Sequence, residues 1–255
     1  MNTTGRFLIL VFSIAGLLLA TESALAEGWS ADQLAAALDN EGRAQADKDR
    51  DAARKPADVI AFSGIESGMV VLDVMASAGY YTEVLSAAVG EDGTVYSQNP
   101  IRMLQFRDGA TDKALSTRLA DERLANVVRV DGSMSEIDVA AGSLDAAFTA
   151  LNFHDTYYMA GEDVAAAWLQ QIFEKLKPNG FLMLIDHAGD PDQDNAKLHR
   201  IPKRIAVDLA TKAGFVVEAD SDVLSHPEDD KTQMVFAREI RGKTDRFVLK
   251  LRKPG

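Results

Sequence analysis

Residues Val71–Thr82 read VLDVMASAGYYT, and the folding of this stretch decides how the rest of the chain is read. Val71, Leu72 and Val74 are apolar on both sides of the alternation, interrupted only by Asp73, the pattern of a strand covered on both faces. From Gly79 the chain runs as a helix to Val89, where Gly90 stops it. A strand, a short turn and a helix form the unit that cradles a phosphate or nucleoside in open parallel sheets. In such turns the first two glycines take positive φ and let the backbone close on a ligand, and the third lets the helix approach the strand. Only the third is present, as Gly79; Met75 and Ser77 occupy the other two positions. A left-handed methionine is costly, so the turn is expected to be tighter or differently shaped than a glycine turn.

Outward from this unit, apolar strands alternate with amphipathic helices. TVYSQ, NVVRV, LDAAFTAL, FLMLIDH and FVVEAD continue the strand series, and FVLKLRK closes it. Helical stretches are expected around Ile101–Arg107, Lys113–Leu124, Asp163–Leu176 and His199–Ala213. The alternation predicts an α/β fold of three layers, a seven-stranded and mostly parallel sheet between helices. No long crossover separates the last two strands, so the final one is expected to run antiparallel. Short alanine-rich helices over Ser30–Asn40 and Arg43–Arg54, and a turn from Pro56 towards Phe62, read as a helical N-terminal extension over 27–56 before a domain over 57–255.

The chain has 255 residues and a net charge of −12. Arg6 followed by FLILVFSIAGLLLA and then Ala24-Leu25-Ala26 predicts a signal peptide over 1–26, cut after Ala26, with a periplasmic or secreted product. The apolar run is shorter than the roughly 18 residues a membrane anchor needs. Without a basic tract, nucleic acid and anionic membranes are not expected partners. There is no cysteine, hence no disulfide, thiolate nucleophile or thiolate metal ligand. Neither G-x-S-x-G nor G-x-x-x-x-G-K-[ST] occurs, which removes the hydrolase elbow and the phosphate loop.

Ligands of open parallel sheets sit beyond the carboxyl ends of the strands, so the residues that follow each strand are the candidates. After the first come Asp73, Met75, Ser77 and Gly79; after the second, Gln98 and Asn99; after the third, Asp131. Asn152, His154, Asp155, Tyr157 and Tyr158 follow the fourth, and Asp186 and His187 the fifth. His154 is either a general base or a loop histidine satisfied by backbone; as a base it needs an orienting partner, for which Asp186 and His187 are better placed than adjacent Asp155. One of Tyr80 and Tyr81 is expected to face the cleft, and Tyr157 and Tyr158 either wall an acceptor pocket or cover the sheet end. Asp186, His187 and His199 suggest a metal, but no H-x-H or H-x-x-x-H spacing occurs and no metal site is expected.

Through VLDVMASAGYYT, VRVDGS around Asp131 and LNFHDTYY, the chain resembles the class I S-adenosylmethionine-dependent methyltransferases, and within them a set of exported predicted methyltransferases. The resemblance implies a Rossmann-like methyltransferase fold with S-adenosylmethionine as cofactor and a small molecule as methyl acceptor. It implies cofactor contacts from Asp73, Ser77, Gly79, Tyr81, Gln98, Asn99, Asp131 and Asn152, and acceptor chemistry from His154, Asp155 and Tyr157. The family's ribose-binding acid is replaced by the neutral pair Gln98-Asn99. Export and the altered turn leave a second expectation open, a protein of this fold that has lost or changed its cofactor and binds another ligand.

Overall fold

The computed structural model describes Met1 and residues 28–255. The expected signal peptide and its cleavage point lie outside the described residues. Three helices come first: α1 (Ala31–Leu38), α2 (Gln45–Arg54) and α3 (Pro56–Ser63). Ser30 starts α1 with a reciprocal cap, accepting from the Gln33 N–H while the Gln33 side chain accepts from its own. Then follow β1 (Val70–Val74), α4 (Tyr80–Val89), β2 (Thr94–Asn99), α5 (Ile101–Leu104), α6 (Phe106–Arg118), β3 (Val127–Asp131) and β4 (Leu144–Ala150). Beyond β4 lie α7 (Phe153–Asp155), a π-helical turn over Thr156–Ala160, α8 (Glu162–Lys175) and β5 (Leu176–His187). The chain ends with α9 (Asn195–Leu198), α10 (Lys203–Lys212), β6 (Val216–Ser221) and β7 (Arg246–Arg252).

The strands form one sheet in the order β3-β2-β1-β4-β5-β7-β6, parallel except for β7, which runs antiparallel to both β5 and β6. Period-two alternation sends neighbouring side chains to opposite faces, and both faces are apolar. Leu72, Leu182 and Leu184 pack under Trp168 and Leu169 of α8 and Leu209 of α10, while Val71, Met183 and Ile185 pack under α1, α3 and α4. Leu34 and Leu38 of α1 are buried in that second layer, so the N-terminal helices complete one side of the sandwich. Among the described residues no helix is long and apolar enough to cross a membrane.

Two helices are placed differently from the sequence reading. The one expected over Lys113–Leu124 spans Phe106–Arg118 as α6. The helix expected from His199 begins at Lys203: His199 is left-handed with φ 54°, Ile201 bridges Ala188, and Pro202 caps α10. A residue before proline is disfavoured in the helical region, which explains the delayed start.

Strands β1 and β4 are neighbours, and the chain builds outward from them in opposite directions. A crevice therefore opens beyond their carboxyl ends, at the switch point of the topology.

Candidate functional site

That crevice is a cleft of about 250 Å³. One wall is the turn after β1, Met75 to Ala78, with Asp73, Tyr80 and Tyr81; the other is Ala150 to Asn152 with His154 and Asp155; His187, Arg50, Arg54 and Phe236 close it. A larger hollow of about 640 Å³ lies between α2 and α6, away from the strand ends where open sheets bind ligands.

The turn keeps the backbone of a glycine turn without its first two glycines. Met75, Ser77 and Gly79 have φ of 55°, 54° and 81°. The expectation of a differently shaped turn is thus corrected: the left-handed positions persist and are held by their neighbours. Left-handed conformation costs a non-glycine residue about 1–2 kcal/mol, and hydrogen bonds from β2 offset it. Gln98 Oε1 accepts from Met75 N–H at 3.0 Å and Asn99 Oδ1 from Ser77 N–H at 2.7 Å, while Asn99 Nδ2 donates to the Ser77 carbonyl at 3.1 Å. Gln98 Nε2 also donates to the Gly132 carbonyl at 2.7 Å. Ala76 N–H donates to the Gln98 carbonyl, and from outside the turn Arg118 Nε donates to that of Ala78 at 2.8 Å.

Gln98 and Asn99, expected to meet a cofactor, are therefore the buried clamps of this turn and do not line the cleft. An amide can donate and accept at once, which a carboxylate cannot, and a turn with side chains at its first two glycine positions needs both. Gly79 is also outside the cleft; a Cβ there would stand 2.9 Å from both Leu115 and Arg118, so its glycine serves the packing of α6. Asp131 is exposed and bonded to Arg129 at 2.8 Å, away from the cleft. Positions two apart on a strand share a face, so this pairing was legible in VRVD. Tyr157 lies on the π-helical turn, edge-on to Tyr158 and outside the cleft.

Asp73, Ser77, Tyr81, Asn152, His154 and Asp155 are brought together as expected. Both Tyr80 and Tyr81 reach the cleft, although only one was expected to. Tyr80 donates to Asp51 at 2.6 Å, and the Arg54 guanidinium lies 4.5 Å from the Tyr80 ring centre. Asp73 is fully buried and accepts from Thr82 Oγ1 at 2.6 Å; burial pushes its carboxyl up to about 7, against the opposing effects of Thr82 and Arg54. Asn152 Nδ2 donates to the Met75 carbonyl at 3.2 Å and so ties the two walls together.

His154 is 3% exposed, and its Nδ1 lies 2.7 Å from Asp186 Oδ1. Asp186 also accepts from the backbone N–H of His154 at 2.8 Å and of His187 at 2.7 Å, which fixes its carboxylate. A carboxylate only accepts, so Nδ1 carries the proton and the neutral ring has its lone pair on Nε2. That Nε2 is buried with no hydrogen-bond partner. Burial lowers the basicity of the imidazole, but Asp186 and Asp155 outweigh it and the net shift is upward. His187 is the opposite case: burial, with Arg246 and His154 adding to it, pushes it well below the usual histidine range, and its Nδ1 bonds Thr244 at 2.9 Å.

Asp186, His187 and His199 do not converge as metal ligands, because the first two are occupied by His154 and Thr244. Sequence reasoning missed Arg50, Arg54 and Phe236, which come from α2 and from the loop between β6 and β7. That loop is anchored by a buried bidentate pair, Arg200 to Asp229 at 2.7 and 3.1 Å. The large exposed Phe236 is the one signal of its position that the chain offers.

No family model matches the chain, and no curated protein matches its sequence. Solved structures do. A SAM dependent methyltransferase from Aquifex aeolicus is similar over 88% of this chain and 99% of its own, with 21% identity and a TM-score of 0.60. The chain has the class I methyltransferase fold. An S-adenosylmethionine dependent methyltransferase from Mesorhizobium loti shares it at 15% identity and a TM-score of 0.53, over 78% of this chain and 97% of that one. So does phosphoethanolamine N-methyltransferase 2 from Haemonchus contortus in complex with S-adenosyl-L-methionine, at 15% identity and a TM-score of 0.56, over 79% of this chain and 53% of that one. Within the methyltransferase fold, the β1 turn and the β4 end of this chain form the two walls described above.

Proposed function

We propose that the chain is an S-adenosylmethionine-dependent methyltransferase acting on a small molecule whose accepting atom lies against His154. The observation that carries this reading is the buried imidazole at the strand ends, with Nδ1 held by Asp186 and Nε2 left open. The cleft fits the cofactor at the turn, whose left-handed backbone at Met75, Ser77 and Gly79 is that of a glycine cradle. It does not fit at the ribose, since both amides at the end of β2 are already bonded. Asp73, Ser77, Tyr81 and Asn152 are the residues that would hold the cofactor, and a weaker hold than a carboxylate gives is expected.

When bound, S-adenosylmethionine supplies an electrophilic methyl group. His154 Nε2 takes the proton of an acceptor hydroxyl or amine, while Asp186 holds the tautomer and stabilises the imidazolium. Arg54, half-buried in the wall, has no hydrogen bond or ion pair from its guanidinium among the described residues, which favours an anionic group on the ligand. Transfer of a labelled methyl group to a panel of hydroxylated and amino acids tests the reading. His154→Gln is expected to lower transfer by about 10²–10⁴-fold with cofactor binding intact; undiminished transfer contradicts the assignment.

A second reading is favoured by the turn itself. The Met75, Ala76, Ser77 and Gly79 N–H groups all bond within the protein, so few donors face a ligand, as in a methyltransferase-fold protein that binds something else. Export is part of the proposal, with a signal peptide over 1–26, an extension over 27–56 and the main domain over 57–255. A mature N-terminus at Glu27 supports it, and an unprocessed chain contradicts it.

A further inference from the structure

We propose that His154, Asp155 and His199 form a binding site for a divalent transition-metal ion of the zinc class, opening into the cleft. One ligand atom from each lies within 4.8 Å of the others. His154 Nε2 is 3.4 Å from Asp155 Oδ1, and His199 Nδ1 is hydrogen-bonded to the same oxygen at 3.0 Å, a bond that the ion replaces as the His199 proton moves to Nε2. Ligands about 2.0–2.2 Å from a tetrahedral ion stand roughly 3.3–3.5 Å apart, so two edges of the site are already close to that spacing. His199, whose side chain is 31% exposed, has room to close the third.

The independent observation is the orphaned Nε2 of His154, a buried lone pair that no hydrogen bond occupies, 3.4 Å from the Asp155 oxygen that both histidines approach. Its Nδ1 bond to Asp186 at 2.7 Å is the outer bond that orients a metal-binding histidine and fixes its tautomer, and two backbone N–H groups hold Asp186 in turn. His199 is kept in place at φ 54°, with Phe236 packed 4.9 Å away between ring centres. Two imidazoles and a carboxylate suit zinc, cobalt or nickel better than magnesium or calcium. Three protein ligands leave the fourth position to water or to a ligand of the cleft, the form of a reactive site and not of a structural one. The spacing concealed it, because His154 and Asp155 are adjacent on α7 whereas His199 arrives from the far end of α9.

The site stands independently of cofactor use. Ion and proton compete for the same Nε2, so His154 serves as base only while the ion is absent. Chelator-treated, untagged protein is titrated with Co²⁺ while its visible ligand-field absorption is followed, and Zn²⁺ is then added to displace it. One equivalent of low-symmetry Co²⁺ is expected, displaced by Zn²⁺. His199→Ala and Asp155→Ala should each weaken binding on the order of tenfold or more, with His226→Ala unchanged. Asp186→Asn should weaken it while leaving all three ligands in place. Wild-type affinity in His199→Ala, or no stoichiometric binding below millimolar metal, overturns the proposal. Because S-adenosylmethionine is absent from this titration, its outcome is separate from that of the methyltransferase reading.

Discussion

The two walls of the cleft are both loops that follow a sheet strand, and they treat their polar groups in opposite ways. After β1, the amide donors at Met75, Ala76, Ser77 and Gly79 are bonded inside the protein, and two buried side chains of β2 hold those of Met75 and Ser77. After β4, His154 is held by Asp186 of β5, which accepts three hydrogen bonds, and these leave His154 Nε2 without a partner. One wall uses its hydrogen bonds to hold a strained shape. The other uses them to leave one reactive atom free.

The comparison breaks most directly at Asp186. Asp186→Ala removes the acceptor for two backbone N–H groups and the partner of a buried imidazole, and a loss of about 3–5 kcal/mol is expected in denaturant unfolding. A loss under about 1 kcal/mol would mean that the dyad is not the buried framework of its wall. Gln98→Ala is next, at about 2–4 kcal/mol, because it strands the Met75 N–H and the Gly132 carbonyl. Were Gln98 a ligand residue instead, stability would hold and only binding would fall.

Asp73 sharpens the contrast through pH. Its folded carboxyl is raised to about 7, mainly by burial, above the ordinary value of 3.8. Between those values the unfolded chain loses a proton that the folded one retains, so this group lowers stability as pH rises from about 4 to about 7, with no further change above. Asp73→Asn is therefore expected to gain on wild type across that window in thermal melts at stepped pH; a constant difference at every pH contradicts it. Ser77→Gly relieves a left-handed serine and should add about 1 kcal/mol, or slightly less given the freer unfolded chain. Tyr157→Phe lies outside both walls and should change stability and ligand binding by under about 0.5 kcal/mol.

The fold was legible because strand patterning is local: apolar runs in VVLDV and FLMLIDH, each bounded by turn residues, fix elements and their order. The site was legible where strand ends alone determine it, as for Asp73, Asn152 and His154. It was not legible where another segment decides the role of a side chain. Gln98 and Asn99 sit at a strand end but face a turn that needs clamping, and Arg54 and Phe236 enter from remote helices and loops. Asp131 lies outside the cleft, and Arg129, two positions earlier on the same strand face, announced its partner.

The central claim is that S-adenosylmethionine binds between the two walls, and titration calorimetry tests it most directly, using S-adenosylmethionine and S-adenosylhomocysteine with the wild-type protein and with Ala78→Trp, which fills the cleft from the turn. Micromolar binding by wild type, lost in a folded Ala78→Trp, is the predicted result. No heat up to millimolar ligand, or equal binding by the filled variant, would contradict it.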